Sequence, residues 1–206
     1  MKDIGEFELA ESSLEKALHI CRRIADTHQQ GRVLIQMGQI IGHIDPDRGI
    51  RHIQRALPLI EEAREPRLAV CAQHALAWFL NDSGKPAEAM VVLDRSRPLY
   101  GQCRDELIQL RMHWLEAKIA HRLGDYVEAE RIFGQVRDEF QSRSLHQEVV
   151  LVTIDQAQVL AAKGERARAA QLAAECYSIM KNWGLHKDAL AAWLVLEDVL
   201  SRGQAA

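Results

Sequence analysis

Leu123-Gly124-Asp125-Tyr126-Val127-Glu128-Ala129 reads as the tight turn between two antiparallel helices. Forty residues upstream stands Ser83-Gly84-Lys85-Pro86-Ala87-Glu88-Ala89, and forty downstream Lys163-Gly164-Glu165-Arg166-Ala167-Arg168-Ala169. In each, an alanine follows the glycine by five residues, and the spacing never slips. A fixed period of roughly 20 to 50 residues is the signature of stacked repeats, each unit burying its apolar face on the next.

Working outward, 48% apolar and only 5% aromatic residues favour close helix packing over a β-sandwich. The net charge of −3 and pI near 6.3 argue against duplex nucleic acid as a partner, which calls for a basic face. The N-terminus, Met1-Lys2-Asp3-Ile4-Gly5-Glu6-Phe7, lacks the apolar core of a signal peptide. No apolar run is long enough to span a bilayer. Cys21, Cys71, Cys103 and Cys176 stand singly, so neither a zinc site nor a disulfide framework is indicated. A reduced, soluble, cytoplasmic chain is expected.

Apolar residues at steps of three and four predict helices over 6–26, 29–44, 46–64, 67–82, 86–100, 104–122, 126–142, 146–162, 166–182 and 186–202. Short turns force antiparallel neighbours. The reading is one continuous domain: a half repeat 1–28, repeats 29–65, 66–103, 104–144 and 145–184, and a terminal helix 185–206. Gly5-x-Phe7-x-x-Ala10 matches the organising turn, which makes the first helix the second half of a repeat. Pro46 and Pro86 suit the first turn of a helix. Pro58 and Pro98 fall late in theirs, and each should bend the last turns by removing a donor. Gly49 takes the place that Ala89, Ala129 and Ala169 hold later.

Small residues recur where two helices must approach: Ala77, Gly84 and Ala89; Ala117, Gly124 and Ala129; Ala157, Gly164 and Ala169. With Tyr126 and Phe133, the set Ala117, Gly124 and Ala129 resembles the tetratricopeptide repeat (TPR) family. The resemblance implies an all-α solenoid of about ten helices, wound as a right-handed superhelix. The period departs from the family's, at 40 residues against its usual 34, and Gln73, His113 and Thr153 stand at its tryptophan position. Long-period repeats of this kind are similar to segments of bacterial signalling and regulatory proteins.

The resemblance also implies a concave recognition face lined by the first helix of each pair. Mapped onto this sequence, that stripe holds His74, Trp78, Asn81 and Asp82; Arg111, Trp114, Lys118, His121 and Arg122; Leu151, Ile154 and Gln158; and, at the start, Leu34, Gly38 and Ile41. Two tryptophans among Arg and Lys suit an extended peptide with an apolar anchor and an acidic or C-terminal carboxylate group. The competing reading of each is simpler: tryptophans packed on the next repeat and cations in solvent. The family's two-carboxylate clamp is not reproduced, since Lys118 is the only lysine at a comparable place.

Nine histidines form no His-x-x-x-His pair, so no metal site is expected. Asp155 reads as a hydrogen-bonding partner on its helix. Without a nucleophile elbow, phosphate loop or paired carboxylates, the expectation is a non-catalytic scaffold or regulatory module with no cofactor. Two alternatives accompany it. Phe7, Leu14 and Ile20 give the first helix an apolar face through which the chain could dimerise or pack on a neighbouring domain. A small-molecule sensor site between Trp78 and Trp114 is the other.

Overall fold

The computed structural model describes residues 2–103 and 105–182, with Leu194 and Glu197 beyond them, both helical. Nine α-helices are found among the described residues: α1 Lys2–Arg23, α2 Thr27–Gly42, α3 Pro46–Ala56, α4 Pro66–Asp82, α5 Pro86–Gln102, α6 Glu106–Leu123, α7 Tyr126–Ser142, α8 His146–Ala162 and α9 Arg166–Asn182. The expected terminal helix over 185–206 lies, those two positions apart, outside the described residues. No helix among the described residues is long and apolar enough to cross a membrane.

The three Gly turns explain the period. Gly84, Gly124 and Gly164 have φ of +75°, +85° and +86°, the left-handed conformation that glycine adopts without a Cβ clash. In each, the next N–H reaches back to a carbonyl five residues earlier: Lys85 to Leu80, Asp125 to Ala120, and Glu165 to Leu160. Those bonds satisfy carbonyls that the helix end leaves open. The next helix starts at once, and where Asp125 leads it the carboxylate accepts the Glu128 N–H. The alanines of the motif, Ala77, Ala89, Ala117, Ala129, Ala157 and Ala169, are completely buried where helices meet.

The chain divides into two compact units, residues 1–112 and 113–206, and the division falls inside α6. In the first, α2 pairs with α3 and α4 with α5, while α1 packs on α2 and α3 on α4. Ile53, Ala72 and Leu93 are sealed in this core. In the second, α8 lies against both α7 and α9, and Leu115, Ile119, Phe133 and Leu160 are sealed. Each large apolar side chain among these contributes about 1.5–3 kcal/mol of burial.

A second period shows in the ion pairs. Arg48–Glu11, Lys85–Asp47 and Arg67–Asp105 in the first unit, and Lys118–Asp155 and Arg168–Glu130 in the second, all join residues 37 or 38 apart. They link equivalent helices or turns of successive pairs. Where such pairs are exposed each contributes well under about 1 kcal/mol, so they fix register more than stability.

Three sequence expectations need correction. Gly5 lies within α1 and not at a turn, because the helix runs unbroken from Lys2. The helix expected over 46–64 stops at Ala56, passes through a 3-10 turn at Leu57–Leu59, and leaves Ile60 extended. Pro58 removes a donor, and the chain beyond it is drawn onto α2. There the Glu61 N–H donates to His28 Nδ1 (3.1 Å), which leaves the ring proton on Nε2 to bond Glu65 (2.9 Å), and Arg32 holds the same carboxylate. Leu59 and Ile60 fill the space that Gly31 leaves open. Pro98, by contrast, is accommodated within α5, which continues to Gln102. The third correction concerns the expected exposed stripe: Leu34, Gly38, Ile41, Asn81 and Ile154 on it are buried, taken up by packing between helices.

Candidate functional site

In the first unit α2, α4, α5 and the start of α6 enclose a cleft of about 470 Å³. That volume falls in the range of sites that hold compact ligands or the anchor of a larger one. Gln39 and His43 come from α2 and its end; Val70, Cys71, His74, Ala75, Trp78 and Phe79 from α4; Tyr100 from α5; Ile108 and Arg111 from α6. The wall is apolar and aromatic for a local reason. Gly42 has no side chain, so the Phe79 ring fits against its backbone, and His43 meets that ring edge-on at 5.6 Å.

His74 sits one helical turn before Trp78, with ring centroids 6.3 Å apart. Its Nδ1 is 2.9 Å from the Tyr100 hydroxyl. Burial, with the Arg111 charge adding to it, pushes the imidazole down to about 4, so it is neutral near pH 7. Burial likewise drives the Tyr100 phenol well above its ordinary value. Cys71 is pushed up for the same reason, which makes it a poor thiolate. Arg111 is exposed, and no carboxylate among the described residues lies within ion-pair distance of it. Among the described residues no acidic side chain lines the cleft. The site therefore offers one fixed positive charge, neutral polar groups and an aromatic wall.

Of the residues singled out in the sequence, this cleft brings together His74, Trp78 and Arg111. Asn81 is 2% exposed and faces the packing, its Oδ1 without a partner. Trp114, Lys118, His121, Arg122 and Gln158 belong to the second unit. There the Trp114 indole N–H donates to Asp155 Oδ2 (2.7 Å), and Lys118 Nζ donates to both Asp155 oxygens (3.0 and 3.2 Å). Trp114 also meets Phe140 edge-on at 5.7 Å. These two are bound up in a bracket between α6 and α8, with Asp155 as the hydrogen-bonding partner. His121 lies by Tyr126 at 5.8 Å, and burial lowers its imidazole. Arg122 and Gln158 are exposed.

Sequence reasoning missed Gln39, His43, Cys71, Tyr100 and Ile108. Cys71 and Arg111 are forty residues apart on successive first helices, so the repeat register itself could have placed Cys71. Tyr100 comes from a second helix, where a search confined to first helices does not look.

The family model of the tetratricopeptide repeat matches residues 72–95 and 110–135, the α4–α5 and α6–α7 turns with their flanks. Over those two stretches the chain matches the tetratricopeptide repeat. Its all-α TPR architecture is shared with a Rap protein solved in complex with Competence and Sporulation Factor, at a TM-score of 0.73 and 17% identity over 98% of this chain. The chain spans 60% of the length of that Rap chain. A Podosopora anserina putative kinesin light chain with nearly identical TPR-like repeats is similar at a TM-score of 0.52 and 15% identity, covering 89% of this chain and 98% of its own. At these identities the likeness is one of fold. No curated protein matches the sequence.

Proposed function

We propose that this TPR chain is a non-catalytic scaffold that binds a protein or peptide partner on its first-helix face, anchored in the cleft of the first unit. The observation that carries the reading is Arg111: among the described residues its exposed guanidinium has no ion-pair partner, and the cleft it shares with Trp78 and His74 is lined by no carboxylate. An apolar group seats on the aromatic wall, and an acidic side chain or chain terminus meets the charge. The complex of a Rap protein of similar fold with Competence and Sporulation Factor supports a role in binding. In the second unit Trp114 and Lys118 are held on Asp155 and stay out of the anchor.

The test begins with peptides selected from a random display library on the wild-type chain. They are then titrated against Trp78→Ala and Arg111→Gln. Each variant is expected to bind about tenfold more weakly or worse, with unchanged helix content. A library that yields no binder, or binders indifferent to both changes, contradicts the reading.

The exposed side chains of α1 favour a second reading, self-association or packing on a neighbouring domain. Phe7 is 38% and Ile20 56% exposed on a helix that packs on α2. Light scattering across concentration checks it: a dimer that dissociates on Ile20→Glu supports this reading, and a strict monomer removes it.

A further inference from the structure

Tyr100 is 1% exposed, and His74 Nδ1 is the one hydrogen-bond partner of its hydroxyl among the described residues. A buried hydroxyl that only accepted from His74 would leave its own O–H unsatisfied, so it donates to Nδ1. The ring proton of His74 is then on Nε2. That nitrogen has no protein partner among the described residues, and the half-buried His74 side chain lines the cleft. Arg111 lines the same cleft, and its charge reaches His74.

We infer that the cleft takes a single apolar carboxylate, its oxygens shared between the Arg111 guanidinium and the His74 Nε2–H, its apolar body on Trp78 and Phe79, with Tyr100 as the positioning residue that holds His74 as a donor. Two donors of different kinds line one cleft in which no acidic group of the described residues competes, which selects an anion over its neutral isostere. The inference rests on the reading of this cleft as the anchor. The carboxylate belongs either to a free organic acid or to the last residue of a peptide chain.

N-acetylphenylalanine and its amide, and a short Gly-Ser peptide ending in phenylalanine with its own amide, distinguish these sources in calorimetric titrations of the full chain. At least one acid is expected to bind, with its amide about tenfold weaker or more. Binding of the small acid assigns a free acid; binding of the peptide alone assigns a chain terminus. Arg111→Gln should erase the preference for acid over amide, and Tyr100→Phe should weaken the acid several-fold without moving the amide. In long-range proton–nitrogen spectra of the free wild-type chain, His74 should carry its proton on Nε2. Equal binding of acid and amide, no binding of either acid, or a proton on Nδ1 overturns the proposal. If the acids fail while library peptides still lose affinity on Trp78→Ala, the carboxylate pole is wrong and the binding module stands.

Discussion

Gly49 stands where Ala89, Ala129 and Ala169 stand in later pairs, and the reason is a distance. A Cβ on it would lie 2.5 Å from the Gly42 Cα and 2.9 Å from the Gly38 carbonyl oxygen, backbone atoms that cannot rotate aside. Gly49→Ala is therefore expected to destabilise by about 1–3 kcal/mol, although alanine is native at three equivalent places. Urea unfolding measures it, and an unchanged midpoint contradicts the close approach. His74 carries the other residue-scale prediction. Its imidazole titrates near 6.5 when unfolded and near 4 when folded, so the unfolded chain binds the extra proton between those values. Stability is full above about pH 6.5 and falls as pH drops toward 4, by on the order of 3 kcal/mol from this group. His52 and His121 are lowered too and act in the same direction. His74→Gln should flatten the stability profile between pH 6.5 and 4; an unaltered slope would place His74 in solvent.

At the scale of helices, the bracket of Trp114 and Lys118 on Asp155 is a device for holding α6 to α8. Asp155→Ala removes the acceptor that a part-buried indole N–H and an ammonium share, at a cost of about 2 kcal/mol. Asp155→Asn keeps an oxygen for the indole and should cost less. Thermal unfolding of the two variants orders them; equal melting temperatures would mean that the indole bond contributes nothing. This bracket also marks the limit of what the sequence reveals. The Gly-Ala spacing was legible because only glycine adopts the left-handed turn cheaply and only small residues allow the helices to touch. The starts of α7 and α9, at 126 and 166, and the end of α8, at 162, follow from those same turns. Helical periodicity says which residues share a face, but not which faces are covered, so Asn81 and Ile154 read as exposed and are buried. Pro58 and Pro98 look alike in the sequence. What separates them is the grip of His28 and Arg32 on the segment after Pro58, where Glu61 and Glu65 each meet a partner 33 residues away.

For the whole chain, each unit has its own core and leaves a different surface. The first leaves a cleft with an aromatic wall and the Arg111 charge, unpaired among the described residues. The second leaves Arg122 and Gln158 in solvent and keeps Trp114 and Lys118 engaged. Three residues of the cleft, His74, Trp78 and Arg111, could be picked out because they lie on first helices; Tyr100 could not, because it reaches in from a second helix. Hydrogen exchange of the full chain, with and without a saturating library-selected peptide, decides whether a partner anchors in this cleft. Added protection is expected in α4 from Val70 to Phe79 and at the start of α6 around Arg111. Protection confined to α1, around Leu9 and Ile20, would contradict it.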